Sequence, residues 1–301
     1  MRSTAHPHRR RGYVLVMTLA VLVLAAAALT STGRLAVQHA SRARDAEREL
    51  QRRAGVASCR AAILPQAERL LETQETRRKS PIIQHRAALR LGEFTFDLII
   101  GDEQAKANVN ALLDTAPPNV VANRLRQALT GTGLLGAVVL RPVARDERPR
   151  VTGPGQLFDR LDPEVLLASR PGTASPAELL TCWGDGAINV RRASESSLRL
   201  RLSPPWTQLD VARLFEARRA MFDTTRAPVE ASTSVSRAPR DPLARLLQTA
   251  QIRTGPSGLT LRSTCHSLWI VTRDGRRQWY DLAVEDASDE RAGPRVITFT
   301  W

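Results

Sequence analysis

From Tyr13 to Leu29 nearly every position is apolar. Val14, Leu15, Val16, Leu19, Val21, Leu22, Val23 and Leu24 point in all directions of a helical wheel, interrupted only by Thr18. No charged side chain follows Arg11 until Arg34. At helical rise the run from Tyr13 to Gly33 extends about 30 Å, the hydrocarbon thickness of a bilayer. A soluble core helix would show a polar face, which this one lacks. A secretory signal shares the basic start and the small residues Ala25–Ala28, but its apolar stretch is shorter, about 7–15 residues. The pattern predicts a membrane-spanning helix over 13–33.

Beyond Gly33 the pattern changes while the helix signal persists. Arg34 to Glu72 is rich in Ala, Leu, Arg, Glu and Gln, with Gly55 and Pro65 as the breakers. Its apolar positions Leu35, Val37, Leu50, Val56, Ile63, Leu64, Leu70 and Leu71 grow denser towards the end. The membrane helix therefore runs on into an amphipathic helix whose far half packs on a domain. Pro65 should kink or end it. An alternating strand is predicted within Arg86–Ile100, at Phe94, Phe96 and Leu98. Val120–Leu135, Leu157–Ala168 and Leu209–Phe222 read as helices, and Pro142–Gly155 as a surface loop. Thr224–Pro239, heavy in Ser, Thr, Ala and Pro, reads as a linker. Leu259–Val271, the Asp274-Gly275 turn, Arg277–Glu285 and Val296–Trp301 predict a three-stranded antiparallel meander.

Two short stretches repeat. TCWGDGAINV, residues 181–190, places Gly184, Asp185 and Gly186 where a tight turn is expected between two short strands, with Ile188 and Val190 facing one side. FDLIIGDEQAKANVN, Phe96 to Asn110, carries the same apolar strand, Gly-Asp and Asn-Val. Each is followed by a helical stretch, so a weak internal repeat of strand, turn, strand and helices is expected.

The residues ahead of the apolar run carry a resemblance. A basic leader ending in glycine (Arg9, Arg10, Arg11, Gly12), a bulky residue (Tyr13) and an all-apolar helix that continues as a soluble one resemble a type IV pilin-like prepilin. The resemblance implies cleavage between Gly12 and Tyr13 by a prepilin peptidase and methylation of the new amino terminus on Tyr13. Physically, arginines hold a leader at the anionic cytoplasmic face and glycine lets a peptidase approach the backbone. Most pilins carry glutamate at the fifth residue after the cut, where this chain has Met17. That absence, and the Trp183-Gly184-Asp185-Gly186-Ala187-Ile188-Asn189-Val190 segment, resemble the protein K family of type II secretion minor pseudopilins. The resemblance implies an inner-membrane, single-pass protein, amino terminus cytoplasmic and carboxy-terminal domain periplasmic. Its partners would be the other minor pseudopilins, at the initiating tip of the pseudopilus. Charge counting does not orient the span, because Arg34, Arg42, Arg44 and Arg48 balance Arg2, Arg9, Arg10 and Arg11. A minor pilin of a type IV pilus and a generic bitopic envelope protein are the neighbouring alternatives.

The fold class expected is α+β: a long membrane-spanning helix continuing into a pilin-like antiparallel β domain with an inserted helical subdomain. The organisation reads as leader 1–12, span 13–33, soluble helix 34–77, first β segment 78–110, helical insertion 111–180, second strand pair and helices 181–223, linker 224–258 and β meander 259–301.

A net charge of +14 raises nucleic-acid binding. The basic residues are almost all arginine and are scattered beside acids, as in Arg44-Asp45 and Glu47-Arg48. Ile188-Asn189-Val190 followed by Leu209–Phe222 also resembles a helix-hairpin-helix DNA module, but Ser203, Pro204, Pro205 and Trp206 stand where a Gly-apolar-Gly hairpin would offer amides to phosphate. Gly131–Gly136 is a second candidate hairpin with no clear helix after it. No nucleic-acid partner is expected.

Catalytic and cofactor signatures do not emerge. Lys79 and Lys106 lack the glycine frame of a phosphate loop, and neither HExxH nor GxSxG occurs. Cys265 and His266 adjoin on one strand and point to opposite faces. Cys59, Cys182 and Cys265 lack metal spacing; Cys182 and Cys265 could pair in an oxidising envelope, with buried free thiols the favoured reading. Asp281, Glu285, Asp286, Asp289 and Glu290 raise calcium, against the simpler reading of a solvated loop.

Overall fold

The computed structural model describes residues 9–130, 138–145, 148–159, 162–168, 174–202, 206–222, 241–252, 258–275, 277–289 and 293–301. The chain divides into two compact units, 1–55 and 56–301. The first is helix throughout its described part. Helix α1 runs from Arg9 to Ile63, 55 residues without a break. A 3₁₀ turn at Leu64–Gln66, with Pro65 in it, separates α1 from α2 (Ala67–Arg78). Pro65 thus ends the α-helix as its missing N–H requires.

The second unit is α+β. A five-stranded antiparallel sheet has the order β1 (Gln84–Leu91), β2 (Phe94–Asp102), β9 (Cys265–Asp274), β10 (Arg277–Asp286) and β11 (Arg295–Thr300). Strand β9 is central and buried from Cys265 to Thr272, and its neighbour β2 is buried at Phe94 and Phe96 and from Leu98 to Asp102. On one face Phe94, Phe96, Leu98, Ile100, Leu268 and Ile270 pack on Cys59, Leu64, Ala67 and Leu71. On the other, Ile99, Trp269, Val271, Leu282 and Val284 join a core supplied by the helical insertion. A third cluster forms around Ile188, Val190, Leu198, Val211 and Leu214.

Between β2 and β9 lie β3 (Ala107–Asn108), α3 (Val109–Leu113), α4 (Pro118–Ala128), β4 (Val143–Arg145), β5 (Arg148–Arg150), α5 (Pro163–Leu167) and α6 (Pro176–Leu179). Then come β6 (Leu180–Thr181), β7 (Ile188–Asn189), α7 (Glu195–Arg201), α8 (Gln208–Phe222), α9 (Pro242–Thr249) and β8 (Leu259–Thr260).

The meander of β9, β10 and β11 and the helix over 209–222 agree with the sequence pattern. Several expectations are corrected. The Gly-Asp-Gly turn does not join a hairpin: β6 pairs in parallel with β3, and β7 in parallel with β8. Leu259–Val271 is accordingly two strands with different partners, split after Thr260. The strand expected at Phe94, Phe96 and Leu98 is present as β2, and Arg86–Leu91 ahead of it adds β1, paired to β2 across a turn at Gly92 with φ +61°. Among the described residues of Leu157–Ala168 the helix is confined to Pro163–Leu167. Leu157 accepts from Val139, and a new helix begins only where Asp162 caps Glu164 ahead of Pro163. The helix expected from Val120 starts earlier, at Pro118, and closes at Ala128. The Pro142–Gly155 loop holds the small hairpin of β4 and β5. The predicted linker 224–239, the hairpin residues 203–205 and the 131–136 glycine stretch lie outside the described residues.

Candidate functional site

Two places in the chain carry the residues singled out in the sequence. The first is α1. Its first turn contains the Gly12–Tyr13 bond. Every residue from Tyr13 to Arg48 is exposed, Tyr13 at 67% and Met17 at 52%. Its stretch from Tyr13 to Leu29 is an apolar surface that water would penalise heavily if left bare. The polar side chains within it are turned inward on the helix. The hydroxyls of Thr18, Thr30, Ser31 and Thr32 donate to carbonyls one turn back, at 2.9–3.0 Å. That leaves no unsatisfied hydroxyl for hydrocarbon to meet. This helix alone among the described residues is long and apolar enough to cross a membrane, with a mean hydropathy of 2.5 in its most apolar stretch.

The second place is where the two Gly-Asp/Asn-Val copies meet. Asn108 of the first copy caps α3 through its Oδ1, and its Nδ2 donates to the carbonyl of Trp183 at 2.7 Å. Asn189 of the second copy does the same in mirror: Oδ1 accepts from the Arg191 amide, and Nδ2 donates to Asp102 at 2.8 Å. Gln104 bridges the turns, donating to Asp185 at 2.7 Å and accepting from the Thr264 amide at 2.7 Å. Asn110 donates to the carbonyls of Val151 and Cys182. The copies are therefore reciprocal clasps, each asparagine closing its own turn and holding the other copy. Gly186, at φ +83°, stands with the space of its absent Cβ only 3.0 Å from the Cβ of Ala111, which explains glycine there twice over.

Beneath the clasp lies an ion cluster that the sequence did not announce. Arg192, fully buried, donates to Glu75 through Nε (2.8 Å) and Nη2 (3.2 Å), and through Nη1 to Glu68 (2.5 Å) and Asp102 (3.2 Å). His266 meets Glu68 at 2.8 Å, and Arg191 meets Glu75 at 2.9 Å. Burial opposes charge on Glu68, but the bonds from His266 and Arg192 outweigh it and hold the carboxyl at about 2. Burial likewise works against charge on Arg192, and the Glu75 and Glu68 carboxylates more than reverse it, raising its pKa. The cluster ties α2 to β2, β9 and the second copy. One sequence signal could have shown it: Glu68 and Glu75 share with Leu71 the i, i+3, i+7 face of α2 that packs on the sheet. Lys106 and Glu103 form a second buried pair.

The remaining candidates are placed as follows. Cys59, Cys182 and Cys265 are free and buried, and burial pushes the thiols of Cys182 and Cys265 upward. Cys265 and His266 do point apart, Cys265 into the insertion-side core and His266 to Glu68. Three of the acids raised for calcium hold protein partners, and Glu290 lies outside the described residues. Asp281 accepts from Thr300, Asp286 from the Gly184 amide and Ser288, and Asp289 faces Arg295. Among the described residues no group of His, Cys, Asp and Glu has the arrangement to hold a metal ion.

No known family model matches the chain. No curated protein matches it. Among solved structures, a chain of the GspK-GspI-GspJ complex from the enterotoxigenic Escherichia coli Type 2 Secretion System is similar at 13% identity and TM-score 0.41. The match covers 86% of this chain and 99% of that one.

Proposed function

We propose that this chain is a structural subunit, a minor pseudopilin of a type II secretion system of the protein K kind. The observation that carries the reading is the single helix α1. Its apolar half, directly behind Arg9-Arg10-Arg11-Gly12, is wholly exposed, and the same helix continues without a break into a soluble stretch before the α+β unit begins. A soluble protein has no use for such a surface. A subunit that is stored in a bilayer and then withdrawn into a bundle of helices needs it in both states.

In this reading the prepilin peptidase cuts between Gly12 and Tyr13, and the Tyr13 amine is methylated. The leader side stays cytoplasmic and the α+β unit lies in the periplasm. Met17 fits a subunit at the tip, where no subunit above offers an amino terminus for a carboxylate to meet. Burying an unmatched carboxylate in lipid would cost at least about 2.5 kcal/mol. The partners are the other minor pseudopilins, and the clasp and ion cluster serve to keep the α+β unit rigid as it caps the assembly. The buried acids Glu75, Asp102 and Glu103 pair with Arg192, Arg191 and Lys106 within the protein, and buried Arg218 donates to the Val190 and Ala193 carbonyls, which suits a structural role.

The test is mass spectrometry of the mature amino terminus in cells with and without prepilin peptidase. A methylated Tyr13 terminus that appears only with the peptidase supports the reading. A terminus at Met1 in both strains, or one generated after Ala25–Ala28, removes it.

A further inference from the structure

The core on the insertion side of the sheet is not closed completely. Where the two Gly-Asp/Asn-Val copies meet, a cavity of about 30 Å³ is lined by Glu103 and Lys106 of the first copy and by Trp183 of the second. Apolar side chains make up most of the remaining wall, among them Leu157, Phe158, Leu166, Leu180 and Trp269. Room of that size suits a water molecule and excludes an organic ligand.

The polar side chains of the wall leave bonds unmade. Glu103 is 1% exposed and Lys106 2%, and they pair through Oε1 and Nζ. The second carboxylate oxygen, Glu103 Oε2, is buried and accepts from no described residue. Trp183 is 8% exposed, and its Nε1 is buried and donates to none. Lys106 spends one of its three N–H groups on Glu103. The tryptophan is held where it stands. Its amide donates to Thr181 Oγ1 at 3.2 Å, its carbonyl accepts from Asn108 at 2.7 Å, and its ring leans on Phe299 with centroids 6.0 Å apart. The Glu103–Lys106 pair carries no net charge and the walls are apolar, so the site selects a neutral occupant. That occupant has to donate to a carboxylate oxygen and accept from an indole N–H in one place, and water does both.

We infer that this cavity is a binding site for a buried water molecule, which donates to Glu103 Oε2 and accepts from Trp183 Nε1 and Lys106 Nζ. Three bonds are the usual complement of such a water. The water is a further link between the copies, beside the Asn108–Trp183 and Asn189–Asp102 bonds, and it completes a polar network whose half-satisfied form would cost stability. The site belongs to the α+β unit alone and stands or falls separately from the pseudopilin reading.

The test uses the full-length protein in detergent micelles, deuterated at carbon and ¹⁵N-labelled at the tryptophan indoles, with the Trp183 signal assigned by its loss in W183F. The Trp183 indole proton should give a rotating-frame Overhauser cross-peak to the water line, opposite in sign to proton exchange. Relaxation dispersion of ¹⁷O in the solvent, which labile protons do not contaminate, counts long-lived waters directly. In A177V the added methyl groups fill the cavity from its wall, so the cross-peak should be lost and the ¹⁷O amplitude should fall by one water. No cross-peak in the parent protein means a dry cavity and overturns the inference. A cross-peak of exchange sign alone means that the indole opens to solvent, and overturns it as well. An unchanged ¹⁷O amplitude in folded A177V places the long-lived water elsewhere and has the same consequence. Should A177V fail to fold, the sign of the cross-peak in the parent protein decides.

Discussion

Replacing Arg192 by methionine should strip the α+β unit of a large part of its stability. The side chain is fully buried and donates four hydrogen bonds to three carboxylates, two of which, Glu75 and Asp102, are themselves fully buried. Methionine fills much of the volume but leaves those charges facing each other without their shared cation. Removing one partner of a buried pair costs about 3–5 kcal/mol. Glu75 retains Arg191 and Asp102 retains Asn189 and the Ala105 amide, so R192M should fall at the low end, about 3 kcal/mol. Against a net stability of about 5–15 kcal/mol for a domain, that is a large fraction. Urea unfolding of the full-length protein in detergent, followed by fluorescence of the buried Trp183 and Trp269, measures it. The double variant R192M/D102N, which neutralises the one carboxylate of the three left without a cationic partner while an amide oxygen still accepts from the Ala105 amide, should recover more than half of the loss. A loss below about 1 kcal/mol for R192M, or no recovery in the double variant, would refute the account of the cluster as a matched charge set.

Acid sensitivity of the unaltered protein follows from Glu68. Its folded pKa of about 2 lies below the ordinary 4.5, so its contribution is complete above pH 4.5 and disappears as pH falls towards 2; allowing for its partial exposure, that is about 2 kcal/mol, and E68Q should flatten this part of an acid unfolding curve. Gly186→Ala should destabilise by about 2–3 kcal/mol, because φ is +83° and the new Cβ meets Ala111 at 3.0 Å. Gly92→Ala, at φ +61° in open space, should cost only about 1 kcal/mol by the same unfolding assay. Cys182 and Cys265, buried with thiols shifted upward, should resist a maleimide at pH 8 in the folded protein and react fully in urea; rapid labelling without denaturant would show that the core around them opens.

The amino-terminal helix was legible because its physics is local. A run without charged residues, bounded by Arg11 and Arg34, needs no tertiary partner to be a helix of bilayer length, and Pro65 ends the α-helix that continues from it for a reason held in its own ring. The meander was legible for the same reason, through period-two alternation and the Asp274-Gly275 turn, where Gly275 takes φ +54°. The Gly-Asp/Asn-Val copies were visible as a repeat but not in their pairing. Local turn chemistry favours a hairpin at Gly184–Gly186, yet β6 and β7 separate to join β3 and β8, because the asparagines and Asp102 gain partners only across the two copies.

What the sequence determined by itself is therefore the long apolar amino-terminal helix and the α+β class. Tertiary structure decided the parallel pairing of the short strands, the split of Leu259–Val271 and the gathering of Glu68, Glu75, Asp102, Arg192 and His266. Those residues span nearly two hundred positions of the chain. Hydrophobic periodicity reports which way a side chain faces along one element, whereas a buried charge is tolerated only when residues distant in sequence arrive together to neutralise it.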